Sequence, residues 1–452
     1  MRLPLLASLL FSTLIACTAS DPLVAPDAGT PTKPQASHKT LLREDAIGSG
    51  ATCPGGGVLV HTGRDTNDDG ALEDSEIEDT VTVCYADDIF HGDLRTSDFA
   101  TPDAQTKLTH VRVVTGNLVI DSDAAMPSLE LIGGDLELRT ETRVELPALA
   151  KVGGSLAGPP PLVLDGDTSV ERGVQLVMPV LASVGGNISM TSWRDGGTFA
   201  APALPGIDGA VLLGGSYSTL DLHALKHAGS SLDLATQAST LALPALQDAG
   251  DLRITGSFKT LDLSALGSAA SVEVHSSSLA TLALPSLRAT TRLQLGDLPN
   301  LTKLELPALA ELGTLALYRM PQLTTLDMPQ LTAVDTLQLT TMALSDLHLF
   351  ANLRTVKTLA IKKNAQLADL AGLEQLTQLT TLSIADNGKL ASLDGLEALT
   401  RVDGDLTIQN NASLTSLSAL AGVTGVGGAI TITSNAALAQ ADVDAFLHRL
   451  GR

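Results

Sequence analysis

The sequence predicts a mainly β solenoid of about 15 turns with short helical caps, preceded by a small disulfide-framed β module. Leucines recur about every 22 residues along most of the chain, and such self-similarity is typical of stacked repeats. The chain is 44% hydrophobic but only 2% aromatic, which favours a narrow aliphatic core. Two of its three cysteines bracket one short acidic segment.

The repeat is defined by two columns of residues that stay five positions apart. One column contains Leu293, Leu315, Leu337, Leu359, Leu382, Leu406 and Ile430. The other contains Leu298, Met320, Met342, Asn364, Asn387, Asn411 and Asn435. Because neighbouring turns of a solenoid bury each other's apolar faces, we expect each column to stack within one core.

Each turn is expected to contain a short main strand and, in most turns, a second segment that ends at proline. Alternation of apolar and polar residues, as in Asn117–Ile120 and Thr314–Leu317, predicts strands with one buried face. The second segment recurs as Leu-x-Leu-Pro-x-Leu at 241–246 and 304–309 and as Leu-x-Met-Pro-x-Leu at 326–331. Proline fixes φ and has no amide hydrogen, so it is expected to end the ladder at a corner.

Glycine doublets precede several of these strands. They are Gly133-Gly134, Gly153-Gly154, Gly185-Gly186 and Gly427-Gly428. We expect them at corners that require positive φ. They are not interpreted as phosphate loops, because no Lys-Ser/Thr follows and no helix begins there.

The C-terminal turns resemble the leucine-rich repeat, in the pattern Leu379-x-x-Leu382-x-Ile384-x-x-Asn387. That resemblance implies that the inward asparagines bond the turning backbone. Over 89–452 the wider pattern is similar to the receptor L-domain, which implies a right-handed single-stranded β-helix. Helical caps are expected at 98–108 and 439–450. Insertions at 158–175 and 191–199 break the period, carry Trp193, and are predicted to form loops.

Residues 1–16 have the features of a secretory leader, because a short apolar run follows a positive charge and ends at a small residue. The run is too short to span a bilayer. Leu14-Ile15-Ala16-Cys17 resembles the bacterial lipobox, which implies that Cys17 carries diacylglycerol and that the leader is removed before it. Thr18 implies sorting to the outer membrane, on either its surface or its periplasmic side. The alternative is an ordinary signal peptide with a chance cysteine.

Residues 17–46 are rich in Pro, Ala, Thr and Asp, which predicts a flexible linker that spaces the folded part from the membrane. The next segment, 47–88, is predicted to be a small module closed by a Cys53–Cys84 disulfide, as that spacing indicates in an exported protein.

The centre of the module, 65–76, matches the calcium-loop pattern of the EF-hand. The candidate ligands in order are Asp65, Asn67, Asp69, the carbonyl of Ala71, Glu73 and Glu76. Gly70 permits the sharp turn, and Leu72 is expected to point into the small core. The flanks read as short strands, not helices, so the frame resembles small cysteine-framed modules of undefined function in bacterial surface lipoproteins. Calcium would be structural; the alternative is an acidic turn that binds nothing tightly.

The net charge of −22 excludes nucleic acid as a partner, because phosphate backbones repel such a chain. The sequence contains no nucleophile elbow, zinc-protease motif, Walker loop or Cys-x-x-Cys. It therefore predicts a non-enzymatic protein, anchored in the membrane by its lipid, whose solenoid binds an unknown protein in adhesion, recognition or scaffolding. The alternatives are a purely structural spacer of the envelope and a polysaccharide-acting β-helix enzyme.

Overall fold

The computed structural model describes residues 39–85, 88–139, 143–158 and 174–452, and the side chains of 192–195 are not described. Across these residues the fold is mainly β, with a three-stranded module followed by a β-solenoid of about 15 turns. The fold class expected from the sequence is confirmed. The predicted leader, Cys17 and most of the predicted linker lie outside the described residues.

The module is an antiparallel sheet whose strand order is β1-β2-β3. Its strands are β1 Thr40–Ile47, β2 Gly57–Arg64 and β3 Ile77–Val83. β1 pairs along its whole length with β2, from Thr40 opposite Arg64 to Ile47 opposite Gly57. The assignment of 40–46 to a flexible linker is therefore wrong, and the module begins near residue 40. β1 contains the consecutive charged residues Arg43, Glu44 and Asp45, and this run conceals a strand within a Pro- and Ala-rich region.

The solenoid is built from short strands. In chain order they are β4 Ile89–Phe90, β5 Leu94–Arg95, β6 Val113–Val114, β7 Leu118–Ile120, β8 Leu131–Ile132, β9 Leu136–Leu138, β10 Arg143–Glu145, β11 Lys151–Val152, β12 Leu156–Ala157, β13 Gln175–Val177, β14 Ser183–Val184, β15 Ile188–Ala200, β16 Gly206–Ile207, β17 Ala210–Asp221, β18 His227–Thr236, β19 Thr240–Ala242, β20 Asp248–Gly256 and β21 Thr260–Asp262. They continue as β22 Ser268–Ser276, β23 Thr281–Ala283, β24 Ala289–Gly296, β25 Lys303–Glu305, β26 Glu311–Tyr318, β27 Thr325–Asp327, β28 Ala333–Thr340, β29 Thr355–Lys362, β30 Gln378–Leu379, β31 Thr381–Ala385, β32 Arg401–Val402, β33 Leu406–Gln409, β34 Gly425–Val426 and β35 Ile430–Thr433.

One parallel ladder, the main sheet, joins each turn to the next. It runs through β5, β7, β9, β12, β15, β17, β18, β20, β22, β24, β26, β28, β29, β31, β33 and β35. Leu293, Leu315 and Leu337 stand opposite one another in this ladder and are fully buried, as the first column predicts. Burying each such side chain stabilises the fold by roughly 1.5–3 kcal/mol.

Two further surfaces accompany the main sheet. In the early turns a separate five-stranded sheet, the lateral sheet, has the order β14-β11-β8-β6-β4. Short third strands such as β23, β25 and β27 pair in parallel before each proline corner. At one of these corners the amide of Leu287 bonds the carbonyl of Leu284 across Pro285 and Ser286. Proline therefore ends the second segment as expected.

The glycine doublets do not adopt positive φ, so that prediction is wrong. A Cβ at Gly153 would lie closer than 3.0 Å to the carbonyl oxygen of Gly133 in the preceding turn. A Cβ at Gly427 would meet the carbonyl oxygen of Asp403 in the same way. Glycine is needed here because consecutive turns approach each other too closely for any side chain.

The left-handed corners that directly follow the late main strands are occupied by residues other than glycine. Immediately after the main strand of the late turns, φ lies between 52° and 60° at Asp297, Arg319, Thr341, Lys363, Asp386, Asn410 and Ser434. Asp and Asn tolerate this conformation, whereas a β-branched residue is strained in it. The corner is therefore imposed by the stacking of the turns, whatever residue the sequence supplies.

The inward asparagines of the C-terminal turns form a buried ladder. Asn387 donates from Nδ2 to the carbonyl of Ile361 at 3.0 Å, and its Oδ1 accepts the amide hydrogen of Asn364 at 2.9 Å. The same pair of bonds recurs at Asn364, Asn411 and Asn435. The predicted contact of these side chains with the turning backbone is thus observed.

Helices close both ends. Near the start, a 3-10 helix at Thr96–Phe99 leads into α1 at Pro102–Leu108, and at the end α2 spans Gln440–Arg449. Both caps match the expected positions. Residues 191–199 lie inside strand β15, so the predicted loop is wrong there, while most of the 158–175 insertion and the Trp193 side chain lie outside the described residues. Within the described ranges, no helix is long and apolar enough to cross a membrane.

Candidate calcium loop and the module that carries it

The acidic loop joins β2 to β3, and its first predicted ligand is buried. Asp65 is 4% exposed, and its two carboxylate oxygens accept the amide hydrogens of Asp69 at 3.0 Å and Gly70 at 2.8 Å. Positive φ at Asp68 and Gly70 makes the sharp turn. The loop therefore wraps around the Asp65 carboxylate, as the sequence pattern implies.

The remaining candidate ligands are gathered by bonds within the loop. Asn67 accepts from the amide of Asp69 at 3.0 Å, and its Nδ2 donates to Glu73 at 3.3 Å. Asp69 accepts from the amide of Ala71 at 2.9 Å. These Asx-type hydrogen bonds leave a lone pair on each side-chain oxygen, so the oxygens of Asn67 and Asp69 remain available to coordinate a cation.

The last candidate ligand, Glu76, is hydrogen-bonded to one residue near the start of the loop and to another near its end. Glu76 accepts from the amide and the hydroxyl of Thr66, each at 2.7 Å, and from the amide of Glu73 at 3.3 Å. The bond from the Thr66 hydroxyl is the main reason that the pKa of Glu76 falls to about 2. The neighbouring Glu76 carboxylate raises the pKa of Glu73 to about 7, chiefly by sharing a hydrogen bond with it. Negative charge is therefore crowded at this end of the loop.

The donor set fits calcium in type and order, because it consists of carboxylate, amide and carbonyl oxygens at EF-hand spacing. In the described part of the chain, however, no three His, Cys, Asp or Glu side chains already converge as a metal cluster. Asp65, Asn67, Asp69, the Ala71 carbonyl, Glu73 and Glu76 would hold the ion. When bound, calcium would supply a positive charge that cross-links the two halves of the loop.

The frame around the loop is β-sheet and disulfide, as expected. Cys53 and Cys84 are bonded at 2.00 Å, which ties the β1–β2 connection to the end of β3. A Cβ at Gly57 would lie closer than 3.0 Å to the Val83 carbonyl oxygen and 3.1 Å from the Cys53 sulfur, so glycine lets β2 lie close to both β3 and the bridge. Leu72 is buried beneath the loop, also as expected.

Sequence reasoning missed Arg43, which supports the far half of the loop from β1. Its guanidinium donates to the Leu72 carbonyl at 2.8 Å, to Asp74 at 2.7 Å and to Asp45 at 3.0 Å. The bond to Asp74 is the main reason that the pKa of Arg43 is raised. The available signal was an arginine between Leu42 and two acids, in a stretch otherwise assigned to the linker.

The module is packed against the lateral sheet of the solenoid. One small apolar cluster joins the two, and it comprises Val60, Val83, Ile89, Val113 and Leu131 with Leu42, Val58 and Val81 at its edge. The glycines of the solenoid let β1 approach: a Cβ at Gly133 would strike Leu42, and one at Gly185 would strike Thr40. The glycine doublets therefore allow the turns to stack closely and also allow the module to approach the solenoid.

Charged contacts extend this interface. Glu78 of β3 lies 3.5 Å from the almost fully buried Lys151 ammonium and 3.3 Å from Arg64. Arg64 also pairs with Asp208 of the solenoid. Arg112 bonds the Thr82 carbonyl at 2.9 Å. Arg64 directly precedes Asp65, so the start of the candidate calcium loop is tied to the solenoid surface.

Comparison with known families supports the module as a unit. Residues 40–84 match the family described as Domain of unknown function (DUF7151). The match begins at the first residue of β1 and ends at Cys84, which agrees with the structural boundaries. No curated protein matches the chain.

Proposed function

We propose that this protein is a non-enzymatic, lipid-anchored component of a bacterial cell envelope that presents its solenoid for binding another protein. Cys17 would carry the lipid, and 18–38 would tether the folded part to the outer membrane. Adhesion, recognition and scaffolding are the roles that fit such a surface. The acidic surface makes nucleic acid an unsuitable partner.

The observation that carries the proposal is a disulfide-closed module fastened to a long repetitive surface. A disulfide persists in oxidising, exported compartments, which agrees with the leader-like residues 1–16. A parallel ladder of about 15 turns presents regular outward columns, the kind of surface that repeat proteins use for binding.

A non-catalytic role is supported by a group of titratable side chains on the main sheet that bond one another. His275 lies 2.7 Å from Glu273 and 3.5 Å from Asp297, and Asp297 lies 2.7 Å from Arg319. The Tyr318 hydroxyl lies 3.2 Å from His275. These groups bond one another across three turns, so they act as surface cross-links between strands.

Calcium is proposed as a structural ion in the 65–76 loop. An extracellular loop of this type binds in the range of about 10⁻⁴–10⁻³ M. Hydrogen–deuterium exchange on the full chain, with about 5 mM calcium or with chelator, tests this because that concentration exceeds the expected range. We expect calcium to slow exchange in β2 and β3.

A matched pair of variants sharpens the calcium test. Asp65→Asn removes a ligand charge and should abolish the protection, whereas Asp68→Asn removes the same charge from a non-ligand position and should retain it. Equal protection in Asp65→Asn and the parent chain would show that calcium is not held by this loop.

The anchor is tested with Cys17→Ser in a Gram-negative host. We expect the parent chain to partition with detergent and its N-terminal peptide to carry acyl mass, while Cys17→Ser remains exported but enters the aqueous phase. Unchanged partitioning would contradict lipidation. Protease treatment of intact cells then separates the roles: cleavage of the solenoid favours adhesion or recognition, and protection favours periplasmic scaffolding.

A further inference from the structure

We propose that the lateral face of the solenoid, downstream of the module, is a docking strip for an extended, basic segment of a protein partner. This inference rests on the proposed protein-binding function and names the face that would carry it. The strip is defined by Ser268, Ala289, Glu311, Ala333 and Thr355, which begin strands β22, β24, β26, β28 and β29.

The strip continues the surface on which the module already lies. β14, the last strand of the lateral sheet, lies beside β16. From β16 onward the register passes without interruption through Gly206, His227, Asp248, Ser268 and Ala289. The upstream part of this face accommodates a β-sheet, with Leu131 and Lys151 in contact with it. The downstream part has no covering element within the described residues, and its register continues from Ala289 to Glu311 and from Ala333 to Thr355 but is open between Glu311 and Ala333.

Short side chains leave a trough along the strip. It encloses about 590 Å³ and is floored by Ala289, Thr291, Gly313 and Ala333. Core packing does not require a small residue at every one of these positions. The Ala333 side chain is exposed, and the same column contains Glu311. Absence of long side chains therefore gives this face a concave shape that an extended chain can enter.

The main sheet of the same turns differs in character. Its outward positions include the long side chains of Arg292, Gln294, Tyr318, Gln338 and Lys362 among shorter ones such as Thr314 and Thr336. A flat or extended partner would meet these side chains before it reached the backbone. A recess of similar volume lies upstream on the main sheet, but it is lined by the charged side chains of Asp233, Arg253 and Glu273, so the lateral trough differs in its small lining and not in its volume.

Charge indicates the chemistry of the partner. Asp335 is paired with Lys357 at 2.7 Å, whereas the exposed Glu311 carboxylate has no ion-pair partner in the part of the chain that the structure describes. Glu311 stands at the middle of the trough wall. We expect a partner segment that places one Lys or Arg beside Glu311 and small side chains on the alanines.

A displayed library of random dodecapeptides, selected on the full chain, tests the strip. We expect enriched peptides to contain a basic residue among small ones. Ala333→Arg fills the trough and repels the basic residue, so it should weaken their binding about tenfold or more, and Glu311→Gln should weaken it less. Ala283→Arg adds the same side chain at an exposed position of β23, away from the strip, and should leave binding unchanged.

The outcomes separate the strip from the broader function. Peptides that bind equally to the parent chain and to Ala333→Arg would overturn the strip but leave protein binding intact. No enrichment of any peptide would overturn both. Circular dichroism of each variant confirms that the exposed substitutions leave the solenoid folded.

Discussion

The turns up to Met342 and the turns from Asn364 onward fill the same core column with opposite chemistry. Leu298 and Met320 are fully buried and need no polar partner, whereas Asn387 and Asn411 are equally buried and bond the backbone of the preceding turn. A buried amide is tolerated only when its donors and acceptors are paired. The same backbone therefore accepts an apolar residue or an asparagine in this column. An asparagine, however, makes the hydrogen bonding of each turn depend on its neighbour.

The largest expected difference between the two regions comes from replacing the column residue with leucine. Asn411→Leu leaves the Asn387 amide and the Ile384 carbonyl buried without partners, so unfolding free energy should fall by about 2–4 kcal/mol. Met320→Leu conserves volume and polarity and should cost less than about 1.5 kcal/mol. Urea unfolding of the full chain, followed by circular dichroism, measures both. Equal costs for the two variants would show that the asparagine hydrogen bonds add nothing to stability beyond packing.

The close approach of early turns should be nearly as sensitive. Gly153→Ala places a methyl group against the Gly133 carbonyl and should cost about 1–3 kcal/mol through overpacking. Gly267→Ala is the control, because its nearest neighbour would be 3.6 Å away. That change should alter stability by no more than about 1 kcal/mol and raise it if the φ is compatible. Similar thermal midpoints for both variants would refute close approach as the role of Gly153.

A smaller, stabilising effect is expected at the left-handed corner. Thr341, just before Met342, has φ of 57°, while the downstream corners already contain Asp386 and Asn410. Thr341→Asn should therefore stabilise the chain by about 1 kcal/mol. Thr340→Asn, one residue earlier in an extended strand, should instead be neutral or destabilising. A gain at both positions would point to a cause other than backbone strain.

The smallest effect lies at the seam between the two regions. The bond between Asp346 and His348 raises the pKa of His348 above 6.5, and the same bond lowers the pKa of Asp346 below 3.8. This exposed pair therefore stabilises the fold fully between about pH 4 and 6.5, and its contribution is lost as pH rises through the histidine pKa or falls through the aspartate pKa. NMR titration should show the His348 pKa returning toward 6.5 in Asp346→Asn; an unchanged value would contradict the pairing.

Periodicity predicted the architecture because every inward leucine reports the same physical requirement, burial against the next turn. The columns and the caps followed from that logic, whereas the disulfide was predicted from the spacing of Cys53 and Cys84 behind a secretory-type leader. The role of the glycine doublets was harder to predict. Gly153 is required by a neighbour 20 residues away, and local sequence does not reveal such contacts. The corner at Arg319 has no sequence signature at all, because stacking forces a conformation that the residue itself disfavours.

In the candidate site, the loop pattern predicted which oxygen-bearing residues would share one loop, because calcium demands oxygen donors in a fixed order. It did not identify Arg43 or the docking of β3 on Lys151, since both join residues distant in the chain. Composition also misassigned β1. Arg43 and Glu44 are polar residues of β1 that contact other parts of the fold. A strand of this kind has the composition of a linker when the surface it contacts is unknown.

The disulfide also determines how tension would travel through the module. A pull on the chain before Thr40 loads β1 and then reaches Cys53, which is covalently joined to Cys84. From Cys84 the force passes directly toward β4 and the solenoid. Strands β2 and β3 and the whole 65–76 loop lie between the two cysteines and are bypassed. The candidate calcium loop therefore lies outside the covalent path of such a force, and the disulfide carries the force in its place.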